Sequence, residues 1–107
     1  MNMSEADLNK IDDLIHAKAR LGIMSLIMTY GKCDFTFLKK KLSLSDGNLG
    51  THIRKLEEAE YIRVEKTFAN RKPKTVCYPT EKGEKAYQRY ICALEDMLYM
   101  SKGNEKA

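Results

Sequence analysis

Two stretches of this 107-residue sequence gather side chains whose types and spacing could do chemistry. In the first, Gly47, Asn48, Thr51, Arg54 and Lys55 interleave with Leu49, Ile53, Leu56 and Ala59 at helical spacing. Donors and acceptors then fall on one helix face and apolar groups on the other. An Asn can pair twice with an adenine edge, and a Thr can offer a hydroxyl or a methyl to thymine. Arg54 and Lys55, one turn later, are placed for phosphates. Gly47 and Gly50 weaken such a helix by roughly 1 kcal/mol each relative to Ala, but they also let a backbone come close to a ligand. In the second stretch, Arg63, Lys66, Arg71, Lys72 and Lys74 stand against the single acid Glu65. Arg71 is the candidate for a minor groove, with Lys66, Lys72 and Lys74 neutralising phosphates. Any solvated helix face or hairpin tip is polar, so neither stretch decides the matter alone.

Other chemistries find no support. The chain has two His and three Cys, with no Cys-x-Cys pair and no His-x-x-His, so no metal site is expected. It has no Gly-rich phosphate loop and no nucleophile elbow, nor paired carboxylates with a reason to share a cleft. An enzyme is not expected, and no cofactor is implied. Cys33, Cys77 and Cys92 are odd in number and far apart, which argues against a disulfide framework and for a reducing cytoplasm. A structural or inert role is expected for all three cysteines; redox sensing is the minor alternative, should Cys33 and Cys92 lie near a helical dimer layer. His52, beside the apolar stripe, is expected to pack or bond to backbone. His16 is expected to end a first helix at its negative end.

These residues need elements to hold them. With 43% apolar and 32% charged residues, the chain is one domain's worth of globular protein, and its +4 net charge is a mild bias. The richest apolar run, Leu21 to Tyr30, is too short for a bilayer, and the N-terminus shows no secretory signal, so a cytoplasmic protein without membrane contact is expected. Ser4 and Asp7 resemble a capping box before Leu8, Ile11, Leu14 and Ile15, which predicts a helix over 4–16. A second helix runs from about Ala17 to Tyr30 and stops at Gly31. Asp34 caps a third helix with Phe35, Leu38 and Leu42 inward and Lys39, Lys40 and Lys41 outward. Ser45 caps a fourth, with Asp46 at its positive end.

From Tyr61 the period changes to two. Ile62 and Val64 alternate with Arg63 and Glu65, and Val76 and Tyr78 return across a loop containing Asn70 and Pro73. That predicts a hairpin with a long basic tip stiffened by Pro73. Thr80 caps a last helix bearing Tyr87, Ile91, Leu94 and Leu98 on one stripe, widened by Tyr90 and Met97. The fold class is mainly α with a small β-hairpin wing (α+β). One domain covers 1–107, with an N-terminal helix at 4–16, a core and wing at 17–80, and a C-terminal helix at 80–101.

The run from Phe37 to Ile62, written FLKKKLSLSDGNLGTHIRKLEEAEYI, resembles the stand-alone winged-helix DNA-binding domain family, related to the MarR and ArsR regulators. Val64 to Phe68, Arg71-Lys72-Pro73-Lys74 and Tyr78-Pro79-Thr80-Glu81-Lys82-Gly83 fit that family's wing and the start of its last helix. The likeness spans roughly residues 11 to 95 and is spread over fifty residues, so it is more specific than a short motif. There are three departures. Ala17-Lys18 replaces the usual Ser-Pro, so a softer break is expected there. Glu60 replaces Gly in Ala-Gly-Tyr, which costs about 1 kcal/mol unless the helix ends differently. Gly50 replaces a frequent Ser and removes a contact.

The resemblance implies a winged helix-turn-helix transcriptional regulator, a homodimeric repressor on a near-palindromic duplex operator. Ser45, Gly47, Asn48, Thr51, Arg54 and Lys55 would form its recognition helix, and Lys66, Arg71, Lys72 and Lys74 its wing. Its dimer face would combine Leu8, Ile11 and Ile15 with Tyr87, Tyr90, Ile91, Leu94, Met97 and Leu98, because the last helix is more apolar than so small a domain needs. The rival reading is a winged helix that only binds proteins, which has no need for the basic wing. A small-molecule effector at the dimer layer is unsupported: Met28, Tyr30, Tyr90 and Met97 could line a pocket, but such residues are more often core.

Overall fold

The computed structural model describes residues 7–103. A 3-10 turn, Leu8–Lys10, leads into helix α1 (Lys18–Tyr30), strand β1 (Cys33–Asp34), helices α2 (Phe35–Leu42) and α3 (Asp46–Glu58), strands β2 (Ile62–Ala69) and β3 (Lys72–Pro79), and helix α4 (Glu81–Gly103). The sheet is antiparallel in the order β1-β3-β2. Its core-facing residues meet Ile23, Met24 and Ile27 of α1, Leu38 of α2, and Leu49, Ile53 and Leu56 of α3 in one buried cluster.

The expected helix over 4–16 does not form among the described residues, and Ser4 lies outside them. Asp7 caps only the short turn, accepting from the Asn9 amide at 2.9 Å. Asp12 then diverts the chain. Its Oδ1 accepts from the amides of Leu14 and Ile15 at 2.9 and 3.1 Å, and its Oδ2 accepts from the Tyr61 hydroxyl at 2.5 Å. A side chain that bonds the amides just ahead of it competes with the helical ladder, and here it wins. Burial, then the hydrogen bond to Asp12, pushes the Tyr61 phenol up to about 12, so it stays a donor. The break before α1 is sharp rather than soft: Ala17 is extended, with no side-chain cap.

Two further details depart from expectation, and a third answers an alternative left open. β1 has no sequence signature. After Gly31 turns the chain in the left-handed conformation (φ 80°), two residues fall alongside β3, too few to show a period. The wing has no long tip. Asn70 and Arg71 form a two-residue turn with φ of 53° and 65°, while Pro73 lies within β3 opposite Phe68. This is the primed turn that matches the twist of paired strands. Finally, Glu60 does adopt the left-handed conformation (φ 63°), held by the Thr80 hydroxyl donating to its carbonyl at 2.6 Å.

On α4 the core-facing line differs from the expected stripe. Gly83, Ala86, Tyr90 and Ala93 are its buried residues. Small side chains let the helix lie close, and Gly83 is required: a Cβ there would sit 1.9 Å from the Tyr61 carbonyl oxygen. Tyr87, Ile91 and Leu94 pack only against the edge of the core. Thr80 caps the helix as expected, accepting from the Gly83 amide at 2.9 Å.

Candidate nucleic-acid interface

Helices α2 and α3 form the helix-turn-helix, and local bonds set its geometry. Asp34 Oδ1 accepts from the Phe37 amide at 2.7 Å to start α2. Ser43, in the left-handed conformation (φ 53°), ends it, with the Leu44 amide donating back to the Lys39 carbonyl at 3.2 Å. Ser45 Oγ accepts from the Asn48 amide at 3.2 Å to start α3. Lys39 and Asp46 pair across the turn at 2.8 Å. Ser45 therefore serves the helix end itself.

Leu49, Ile53 and Leu56 bury one side of α3, which leaves Gly47, Asn48, Thr51, Arg54 and Lys55 exposed on the other. The expected polar face thus comes together on one surface. The Thr51 hydroxyl donates to the Gly47 carbonyl at 2.9 Å, so its proton is used and the exposed side chain keeps an acceptor oxygen and a methyl for other contacts. Gly47 and Gly50 meet no other atom where a Cβ would stand. His52 differs from expectation: its Nδ1 accepts from Arg20 at 3.0 Å, and Arg20 also donates to the Leu14 carbonyl at 2.5 Å. Burial first, then the charges of Arg20 and Lys55, lowers the His52 pKa, so the ring stays neutral. His16 accepts or donates at 2.8 Å to the Tyr90 hydroxyl instead of ending a helix.

The wing separates its cations by role. The Arg63 guanidinium lies 4.2 Å from the Tyr78 ring centroid and bonds Glu65, so it braces the sheet. Lys74 reaches Asp34 at 3.7 Å and is partly committed to the start of α2. Lys66, Arg71 and Lys72 are exposed, and no acid among the described residues pairs with them. Phe68, which the sequence reading passed over, is 74% exposed on the same strand face as Lys66. Its signal was the alternation itself: Ile62 and Val64 turn inward, and Phe68 continues their face past the end of the core.

The residues expected at a dimer face divide. Ile15 and Tyr90 are buried in the domain's own core, with Tyr90 1% exposed, so they offer nothing to a partner. Ile11, Tyr87, Ile91, Leu94 and Met97 are half-buried, while Leu8 and Leu98 are exposed, as is Tyr99 beside them. Tyr87 is fixed to α1 by a 2.9 Å bond to Ser25. Of Met28, Tyr30, Tyr90 and Met97, Tyr90 is closed into the core. Tyr30 instead borders an open cleft of about 240 Å³ with Lys32, Cys33, Asp34, Phe37, Lys74 and Val76. Among the described residues no three His, Cys, Asp or Glu side chains gather to hold a metal, and no helix is long and apolar enough to cross a membrane.

Comparison with known proteins follows the same lines. Residues 19–98 match the winged helix DNA-binding domain family. An uncharacterised protein of Methanocaldococcus jannaschii is 35% identical over 92 residues, which cover 86% of this chain and 97% of that one. A solved transcriptional regulator homologue from Pyrococcus horikoshii is 32% identical with a TM-score of 0.79, over 85% of this chain and 92% of that one. The structure of MarR shares the fold at a TM-score of 0.71 and 20% identity, over 87% and 69% of the two chains. With the helix-turn-helix, the tightly turned wing and the long last helix in place, the chain belongs to the winged helix DNA-binding domain family, whose members are transcriptional regulators and not enzymes.

Proposed function

We propose that this protein is a sequence-specific duplex-DNA-binding repressor that works as a homodimer on a near-palindromic operator. Helix α3 lies in the major groove, where Asn48 and Thr51 read base edges while Arg54 and Lys55 take phosphates. The wing follows the backbone to the adjacent minor groove, which Arg71 enters, with Lys66 and Lys72 on flanking phosphates. Lys74 contributes less, because Asp34 already competes for it.

The observation that carries this reading is Arg71. It occupies the second position of a tight turn at φ 65°, where an unbranched backbone without a side chain is favoured. A bulky residue held in a sparsely populated conformation at an exposed tip points to a use for its side chain. A wing that served only to bind protein would have no reason to hold a cation there.

Selection of bound duplexes from random DNA tests the whole reading at once. We expect a site with twofold symmetry and half-sites about one helical turn apart, roughly 34–36 Å. Recovery of random sequence with no enrichment would leave the module without base reading. Enrichment of an asymmetric single site would remove the dimer but keep the reading helix.

A further inference from the structure

We propose that Cys33 and Cys77 form a thiol–disulfide site, closed by small-molecule disulfides, that bonds the strand leading into α2 to the inner strand of the wing. The proposal is independent of the DNA reading.

Register places the two residues together. Cys33 of β1 lies directly opposite Cys77 of β3 in an antiparallel pair. Directly opposed residues in such a pair stand about 4.5–5.5 Å apart at Cα and project from the same sheet face. A disulfide needs a Cα separation of about 4.4–6.8 Å, which directly opposed backbone positions meet, with a small local closure bringing the two Cβ atoms within bonding reach. Both cysteines are free and buried, whereas Cys92 is exposed on α4. Burial, then the neighbouring Cys33, pushes the Cys77 thiol up to about 12, and burial, then Asp34, raises Cys33.

The two sulfurs differ in access. Cys33 borders the open cleft beneath Tyr30 and Phe37, while Cys77 is fully buried. A small disulfide entering the cleft therefore meets Cys33 first. Cys33 loses its proton, and its thiolate attacks one sulfur of the reagent. A mixed disulfide forms and one small thiolate leaves, taking up the proton. Cys77 then loses its proton and attacks the Cys33 sulfur, displacing the second small thiol. Two protein thiols are oxidised, and one small disulfide is reduced to two thiols. Because both thiols are held protonated, the exchange runs over minutes to hours and follows a sustained oxidising poise rather than a pulse.

The bond has a definite place to act. β1 pairs with β3 through two residues only, and Asp34, next to Cys33, is both the cap of α2 and the partner of Lys74. Oxidation makes that brief pairing covalent and ties the wing to the start of the helix-turn-helix.

The test uses the full chain carrying Cys92→Ser, which removes the exposed thiol, incubated with excess oxidised glutathione. We expect a monomer two hydrogens lighter, a linked peptide pair containing Cys33 and Cys77, and a melting temperature raised by on the order of 10 °C, all reversed by dithiothreitol. With Cys77→Ala added, the reaction should stop at a glutathione adduct on Cys33. Cys33 and Cys77 both still free for alkylation after hours of oxidation would overturn the proposal. So would a glutathione adduct on Cys33 that persists with Cys77 present.

Discussion

Arg71 sits where the turn would be more stable with glycine, and that conflict can be measured from both sides. Asn tolerates the left-handed conformation at position 70, but arginine at φ 65° carries a Cβ in a crowded region. Arg71→Gly should therefore raise the urea midpoint, by about 1 kcal/mol of stability. It should also weaken binding, most on duplexes with a narrow minor groove, and flatten the log affinity against log salt slope because one cation leaves the DNA surface. A gain in stability with no change in the salt slope would take Arg71 out of the interface. His52 gives a second residue-scale expectation. Its imidazole accepts from Arg20 in the folded chain, and its pKa is lowered by burial and by two cations. As pH falls, the unfolded chain takes up this proton first. The contribution is complete above about pH 6.5 and is lost as pH falls toward the depressed folded value. Stability measured by urea from about pH 7 to pH 5 should drop, and His52→Gln, which keeps an acceptor but does not titrate, should remove that part of the slope. An identical slope in the variant would place the titration elsewhere.

Among the elements, two glycines should answer the same substitution with opposite signs. Gly83 begins α4 against the Tyr61 carbonyl, and a Cβ would stand 1.9 Å from that oxygen. The backbone would have to shift, so Gly83→Ala should cost about 1–3 kcal/mol. Gly50 of α3 faces open space, so Gly50→Ala should gain roughly 1 kcal/mol of helix propensity. Thermal unfolding of the two variants checks both, and equal shifts would mean that the close approach at Tyr61 is not a constraint. What the sequence revealed follows the range of the interactions involved. The caps at Asp34, Ser45 and Thr80 were legible because each side chain bonds an amide within three residues. The polar face of α3 was legible because Leu49, Ile53 and Leu56 fix its complement. The N-terminal helix was misread because apolar spacing at Leu8, Ile11 and Ile15 outweighed a single side chain, Asp12, whose bonds reverse the outcome. The core line of α4 was missed because its key positions are Gly and Ala, which hydropathy barely marks. β1 escaped because it exists only through its pairing with β3. The wing's charge could be counted in advance, but nothing in the residue types says that Arg71 accepts a positive φ or that Lys74 leans on Asp34.

At the scale of the molecule, the homodimer proposed above would rest on α4. Its 23 residues span about 34 Å, and the line that closes the core is narrow: Gly83, Ala86, Tyr90 and Ala93. The adjacent line, Tyr87, Ile91 and Leu94, is only half-covered, and Leu98 and Tyr99 are each 57% exposed beyond it. Burying Ile15 and Tyr90 inside the domain narrows the face expected for a partner, but it leaves this second line half-exposed along the same helix. An apolar line next to a core, on the longest helix, suits a twofold mate that presents the same residues. Such a pair would also supply what one module lacks, since a single winged helix reads too few bases for an operator. Leu94→Glu combined with Leu98→Glu places charge in the centre of that contact without replacing a residue of the buried line. The variant should remain folded by circular dichroism and sediment as a monomer. It should keep weak affinity for random duplex and lose affinity for the selected operator, because α3 and the wing are unaltered in each copy. An unmodified protein that sediments as a monomer at micromolar concentration would end the dimer reading, whatever its affinity for DNA. Loss of random-duplex affinity in the folded variant would instead mean that α4 takes part in the DNA interface itself.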